Sequence, residues 1–151
     1  MNDVKGSGGG LPQTLAFRLG TLGAVVGDRF AGRIESYDLK PKHVGLLTAL
    51  DRGAAASQQE LAARLGVAPS LVVSLADHLE RLGAVERVRD PRDRRRQVLG
   101  LTDRGRCLLA DCAAEARALD EELAAHLTAE QREVLRKALG ILAAEAGLPT
   151  D

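Results

Sequence analysis

Seven arginines fall within "VERVRDPRDRRRQVLGLTDRG", residues 85–105: Arg87, Arg89, Arg92, Arg94, Arg95, Arg96 and Arg104. Guanidinium groups at this density suit one chemistry above others, the binding of a polyanion through forked hydrogen bonds to phosphate. Two of the stretch's carboxylates, Asp90 and Asp93, are set between Arg89 and Arg94. A tip that bound only phosphate would not need carboxylates. Asp93 can accept from the guanidinium two residues on, Arg95, and hold its fork in a fixed direction. The chain of 151 residues has formal net charge zero, but the charge is segregated. Residues 40–106 carry 13 basic and eight acidic side chains, a net of +5, whereas residues 107–151 carry four basic and nine acidic, a net of −5. A basic middle followed by an acidic end predicts that only the middle faces a polyanion.

The other chemically capable residues are sparse. Cys107 and Cys112 are five apart on a predicted helix and project about 140° from each other. They neither bridge within the helix nor share a metal, and both read as small core hydrophobes. His43, His78 and His126 are scattered, without zinc-ligand spacing, so no metal and no cofactor are expected. No nucleophile–base arrangement, phosphate loop or carboxylate pair stands out, so an enzyme is not expected. No run of about 18 apolar residues predicts a membrane span. The opening "MNDVKGSGGG" lacks the cationic and apolar regions of a signal peptide and reads as a flexible tail over residues 1–10, which makes the cytoplasm the expected compartment. Residues 147–151 form a short C-terminal tail.

The elements that must position the arginines follow from periodicity and caps. Leu15, Leu19, Leu22, Val26, Phe30 and Ile34 recur at steps of three and four and predict one helix over residues 11–39. Its glycines, Gly20, Gly23, Gly27 and Gly32, permit close approach of another helix. Pro41 opens a second helix, with Val44, Leu47 and Leu50 inward and Gly53 at its end. Ser57 with Glu60 is a capping box for a short third helix stopped by Gly66. Pro69 starts a fourth, with Val72, Leu75, Leu79 and Leu82 inward, ended by Gly83. "AVERVR" and "QVLGL" predict a β-hairpin around an Asp-Pro-Arg-Asp turn. Thr102 caps a long helix, and Thr128 with Gln131 caps a last one that carries Val134, Leu135, Leu139 and Leu142.

Residues 58–77, "QQELAARLGVAPSLVVSLAD", fit a helix-turn-helix. Two helices crossing steeply need a small residue where they touch, and Ala62 is placed there. The tight turn needs a residue that tolerates positive φ, and Gly66 stands four later. A hairpin directly after such a pair makes a winged helix, in which the second helix enters the major groove and the hairpin tip reaches toward an adjacent minor groove. Arginine suits that tip because a narrow minor groove concentrates negative potential.

At these residues the sequence resembles the MarR family of bacterial transcription regulators. The resemblance is carried by "LKPKHVGLLTAL" (39–50), "SQQELAARLGVAPSLVVSLADHLERLGAVER" (57–87) and "DPRDRRRQVLGLTDRG" (90–105), and covers roughly residues 11–146. It implies a mainly α fold with a small β-hairpin wing. Residues 11–146 then form a single domain, with a winged helix-turn-helix over 40–101 and dimerisation helices over 11–39 and 102–146. It implies a homodimer that binds double-stranded DNA at a pseudo-palindromic operator, usually as a repressor, released by a small-molecule effector or by oxidation. Asp93 and Arg95 match the family's wing pair, with Arg94 and Arg96 beside them as phosphate contacts. Ser70, Ser74 and His78 are the polar candidates of the recognition helix. Leu71 and Val73 depart from the polar residues common there, and either touch thymine methyls or pack inward. Lys42, Ser57 and Gln58 are assigned to the DNA backbone. Arg18, Tyr37 and His43 are candidates for an effector pocket between the dimer helices and the winged lobe, with ordinary packing as the alternative for them. Two rival functions stay open: a winged-helix module that docks protein through Leu71 and Val73, and a cysteine-based redox regulator.

Overall fold

The computed structural model describes residues 9–150. These fall into two compact units, residues 9–115 and residues 116–150. The expected N-terminal tail lies outside the described residues as far as Gly8, and Asp151 lies outside them at the other end.

The first unit begins with helix α1, Leu15–Ile34, flanked by single 3-10 turns at Leu11–Gln13 and Glu35–Tyr37. The expected helix over 11–39 is thus shorter at both ends. Thr14 Oγ1 accepts from the Phe17 N–H at 3.2 Å, which makes Thr14 the N-cap and leaves Leu11 outside. At the other end Asp38 adopts a left-handed conformation (φ 57°) and donates its N–H to the Glu35 carbonyl, which closes the turn. The apolar stripe grades along α1: Leu15, Leu19 and Leu22 are exposed, Val26 and Phe30 are partly buried, and Ile34 is fully buried.

Helices α2 (Pro41–Arg52), α3 (Gln58–Leu65) and α4 (Pro69–Arg81) follow as read from the sequence. The capping box at Ser57 and Glu60 is present in both directions. Gly66 takes φ 64° at the turn between α3 and α4, and Ala62 is buried where the two helices meet. Leu46, Leu47, Leu61, Val72 and Leu79 are all fully buried, each worth about 1.5–3 kcal/mol of burial. Strands β1 (Val85–Arg89) and β2 (Gln97–Leu101) pair antiparallel, from Val85 opposite Leu101 to Arg89 opposite Gln97. A third short segment joins them: Ala56, just before α3, exchanges two backbone hydrogen bonds with Leu99, at 3.2 and 2.8 Å. The architecture is a mainly helical winged helix-turn-helix with a two-stranded antiparallel wing.

Helix α5 (Asp103–Leu123) starts against the hairpin, and the Leu-Thr-x-x-Gly stretch explains how. Thr102 Oγ1 accepts from the Gly105 N–H at 3.0 Å and donates to the Gly83 carbonyl at 2.6 Å. A Cβ on Gly105 would collide with the Ala84 carbonyl and the Leu101 side chain. The helix can sit this close to the sheet only because that side chain is missing. In the second unit, α6 (Ala129–Glu145) carries the expected cap, with Thr128 Oγ1 accepting from the Gln131 N–H and Gln131 Oε1 accepting from the Thr128 N–H. Val134, Leu135, Leu139, Ile141 and Leu142 on α6 are exposed.

Candidate nucleic-acid interface

The seven arginines of residues 85–105 divide sharply by partner. Arg87, on β1, donates from Nη2 to Asp77 Oδ1 and from Nη1 to Glu80 Oε2, both on α4. Arg89 Nη1 donates to the Arg94 carbonyl at 2.8 Å, across the hairpin. Arg96 Nη2 donates to Glu60 Oε1 on α3 at 2.8 Å. Arg104 Nε donates to the Leu82 carbonyl at 2.8 Å. The remaining three, Arg92, Arg94 and Arg95, are exposed at the tip, and among the described residues their guanidinium groups have no hydrogen-bond or ion-pair partner.

The tip is shaped by backbone bonds. Asp90 Oδ1 accepts from the Arg92 N–H at 2.9 Å and Asp93 Oδ1 from the Arg95 N–H at 3.0 Å, each a turn in which the aspartate reaches two residues on. This corrects the expectation that Asp93 grips the Arg95 guanidinium. A short carboxylate that close in sequence meets the main-chain N–H first, so Asp93 orders the backbone that carries Arg95. Two further bonds close the loop, Asp90 N–H to the Arg96 carbonyl and Arg96 N–H to the Asp93 carbonyl, each 2.9 Å.

Of the recognition-helix candidates on α4, Ser70, Val73 and Ser74 are exposed. Leu71 is partly buried and packs against the core, the inward alternative for that side chain. His78 is turned toward the connection between α1 and α2. Its Nε2 lies 2.7 Å from the Asp38 carbonyl, and its ring stacks on His43 with centroids 4.3 Å apart. His43 is buried, and its Nδ1 accepts from the Lys40 N–H at 2.9 Å. Burial, then the neighbouring His78 and Lys40, lowers the His43 pKa to about 4. The pair thus joins a residue expected at DNA to one expected at an effector.

An open cleft of about 1030 Å3 lies beside the pair, lined by Lys40, Lys42, His43, Ser74, His78 and Arg81, with Glu35 and Asp38 also on its wall. Of the three effector candidates only His43 lines it. Arg18 is exposed and donates to the Pro12 carbonyl. Tyr37 donates to Glu115 Oε1 at 3.4 Å, and Arg33 pairs with the other oxygen of that carboxylate at 3.3 Å. Burial, followed by Glu115 and Asp111, raises the Tyr37 pKa. Lys42 is exposed, while Ser57 and Gln58 are half-buried at the start of α3, where Gln58 Oε1 is buried without a partner. Cys112 is buried as expected, and burial raises its thiol pKa, whereas Cys107 is exposed instead of packed in the core. The helix places Cys107 on its solvent face because the two cysteines point in different directions.

The sequence offered no signal for the Arg87, Arg96 or Glu115 partners, which lie 7 to 82 residues away along the chain. Among the described residues no group of three or more His, Cys, Asp or Glu side chains could hold a metal ion, and no helix is long and apolar enough to cross a membrane.

Comparison with known proteins places this geometry. Residues 37–96 match the MarR family. The HTH-type transcriptional repressor MdtR of Bacillus subtilis (strain 168) is 30% identical over 98 residues, which cover 65% of this chain and 63% of MdtR, just under two thirds of that relative's length. A MarR family protein of Mycobacterium tuberculosis, solved in complex with DNA, is 29% identical over 85% of this chain and 97% of its own, with a TM-score of 0.74. The transcriptional repressor CouR bound to a 23-mer DNA duplex is 30% identical over 89% of this chain and 96% of its own, with a TM-score of 0.73. CouR from Rhodococcus jostii RHA1 has also been solved bound to p-coumaroyl-CoA, and in that form is 27% identical over 87% of this chain and 92% of its own, with a TM-score of 0.68.

Proposed function

The chain belongs to the MarR family of transcriptional regulators, and from that premise we propose that it works in the cytoplasm as a homodimeric, sequence-specific DNA-binding repressor released by a small anionic ligand. The observation that carries the DNA reading is the partition of the wing. Arginine side chains at its base are consumed by protein acceptors, while Arg92, Arg94 and Arg95 at the tip keep their donors for an outside acceptor. Arg95 is the groove residue, Asp93 orders its backbone, and Arg94 meets phosphate. Ser70, Ser74 and Val73 present the base-reading surface of α4, Val73 toward a thymine methyl. Lys42, Ser57 and Gln58 meet the DNA backbone.

Self-association is supported by apolar faces that the chain leaves uncovered: Leu15, Leu19 and Leu22 on α1, and Leu135, Leu139 and Leu142 on α6. Release by a ligand is supported by the cleft at His43 and His78, where three cations outnumber two carboxylates and the recognition helix forms one wall. A ligand there touches Ser74 and His78 directly, and so acts on the element that reads bases. The protein-docking alternative loses support because Leu71 packs against the core. The redox alternative loses support at Cys112, whose buried thiol is held protonated, and is left to the exposed Cys107.

The test is selection of bound duplexes from random DNA, followed by a salt titration with the selected operator and a scrambled duplex. Steep salt dependence for both, with tighter binding to the operator, is expected. Binding indifferent to salt would point to a docking module instead.

A further inference from the structure

We propose that Arg96 is a positioning residue, held by Glu60 so that helix α3 sets the attitude of the DNA-probing tip. The inference rests on the DNA-binding reading above and gives Arg96 a role different from its flanking arginines. Its guanidinium is already matched to a carboxylate at 2.8 Å. A cation neutralised inside the protein releases few counterions from DNA, so it adds little to the salt dependence.

Glu60 works in two directions with one carboxylate. Oε2 accepts from the Ser57 N–H at 2.8 Å and closes the first turn of α3, while Oε1 takes Arg96. The two hydrogen bonds bring its pKa down to about 2, so it stays charged at any pH at which the protein works. Arg96 is a node in the same sense. Its carbonyl and its N–H close the tip loop against Asp90 and Asp93, and its side chain runs to α3. Ala56 and Leu99 make a second tie between the same two segments through their backbones. The start of α3 is therefore fastened to the wing twice, once by main chain and once by the Glu60–Arg96 pair. Of the two, the ion pair lies nearer the tip, one residue from Arg95. Both partners are half-exposed, so the pair adds little to global stability. Its consequence lies in where the tip points.

The discriminating variant is Glu60→Gln, because glutamine preserves the capping box of α3 while removing the charge that holds Arg96. Amide hydrogen exchange of the free protein is measured at residues 93–96, together with operator affinity over a salt series, for Glu60→Gln, Arg96→Ala and the double variant. Faster exchange at the tip is expected in all three. Operator affinity should fall roughly threefold to tenfold in each single variant, with no further loss in the double variant and an unchanged salt slope. Arg96→Lys should recover part of the affinity. Tighter binding by Glu60→Gln, with a salt slope steeper by about one unit, would overturn the proposal, since it would mean that Glu60 merely restrains a phosphate contact. Unchanged tip exchange would also overturn it. Accelerated exchange in a protein whose wild type prefers no duplex would leave the clamp standing and remove the DNA reading beneath it.

Discussion

The base and the tip of the wing are built from the same residue type and differ in what completes them. At the base, Arg87, Arg96 and Arg104 find their acceptors on α4, α3 and the turn after α4, and Arg89 finds one across the hairpin. At the tip, the guanidinium groups of Arg92, Arg94 and Arg95 find no acceptor among the described residues. The base is finished within the chain and serves stability and aim. The tip is not, among the described residues, and apolar side chains on α1 and α6 are likewise exposed. An arginine count therefore overstates the binding surface, because guanidinium groups with carboxylates in reach are already spent.

Changes that strike the exposed apolar faces should have the largest effect. Leu19→Asp with Leu139→Asp should convert a dimer to monomer or aggregate, read by equilibrium sedimentation. A wild-type protein that stays monomeric at micromolar concentration would remove the dimer from the proposal. Next comes the finished base. Gly105→Ala should cost about 3 kcal/mol, the upper end for overpacking, since the added methyl meets main chain that cannot swing aside. Denaturant unfolding measures this.

The tip gives the converse pattern. Arg95→Ala should weaken operator binding by about 2 kcal/mol and flatten the log–log salt slope by up to about one unit, with the melting temperature unchanged. Asp93→Ala should weaken binding less, through a looser turn. A fall in melting temperature equal to that of a base variant would erase the distinction between the two regions.

The histidine pair sharpens the picture from the α4 side. Folded His43 takes a proton only near pH 4, whereas the unfolded imidazole takes one near its ordinary value of 6.5. Between these values the unfolded state binds more protons, so stability is present above pH 6.5 and is lost as pH falls toward 4. The loss between pH 7 and pH 5 should be about 2 kcal/mol, and His43→Gln should flatten it in paired unfolding curves. The smallest effect is expected at Arg87→Ala, about 1 kcal/mol of stability for a partly exposed ion pair, with operator affinity changed far less than in Arg95→Ala.

Much of this was legible in the chain. The capping boxes at Ser57 and Thr128, the cap at Thr102, the left-handed glycines at positions 66 and 83 and the presence of the hairpin all depend on residues a few positions apart. Local rules act over that range, so the order of elements and the class of fold follow from the sequence alone. The same holds for the basic middle and the acidic end. The exceptions are instructive. A helix over 11–39 follows from apolar periodicity, but Thr14 and Asp38 end it earlier with their own hydrogen bonds. Asp93 was placed on the right residue and the wrong atom, since distance along the chain does not distinguish a guanidinium from an amide.

What only the tertiary structure decided is which of several identical side chains is satisfied. Glu60 meets Arg96 across 36 positions, His78 meets Asp38 across 40, and Tyr37 meets Glu115 across 78. Nothing in residue type or spacing anticipates these pairs, because each depends on where two elements come to rest after the core has packed. The sequence determined that this is a winged helix with an arginine-rich hairpin. The packing of α3 and α4 against that hairpin decided which arginines remain to meet a partner, because a buried or paired charge is set by its three-dimensional neighbours and not by its own identity.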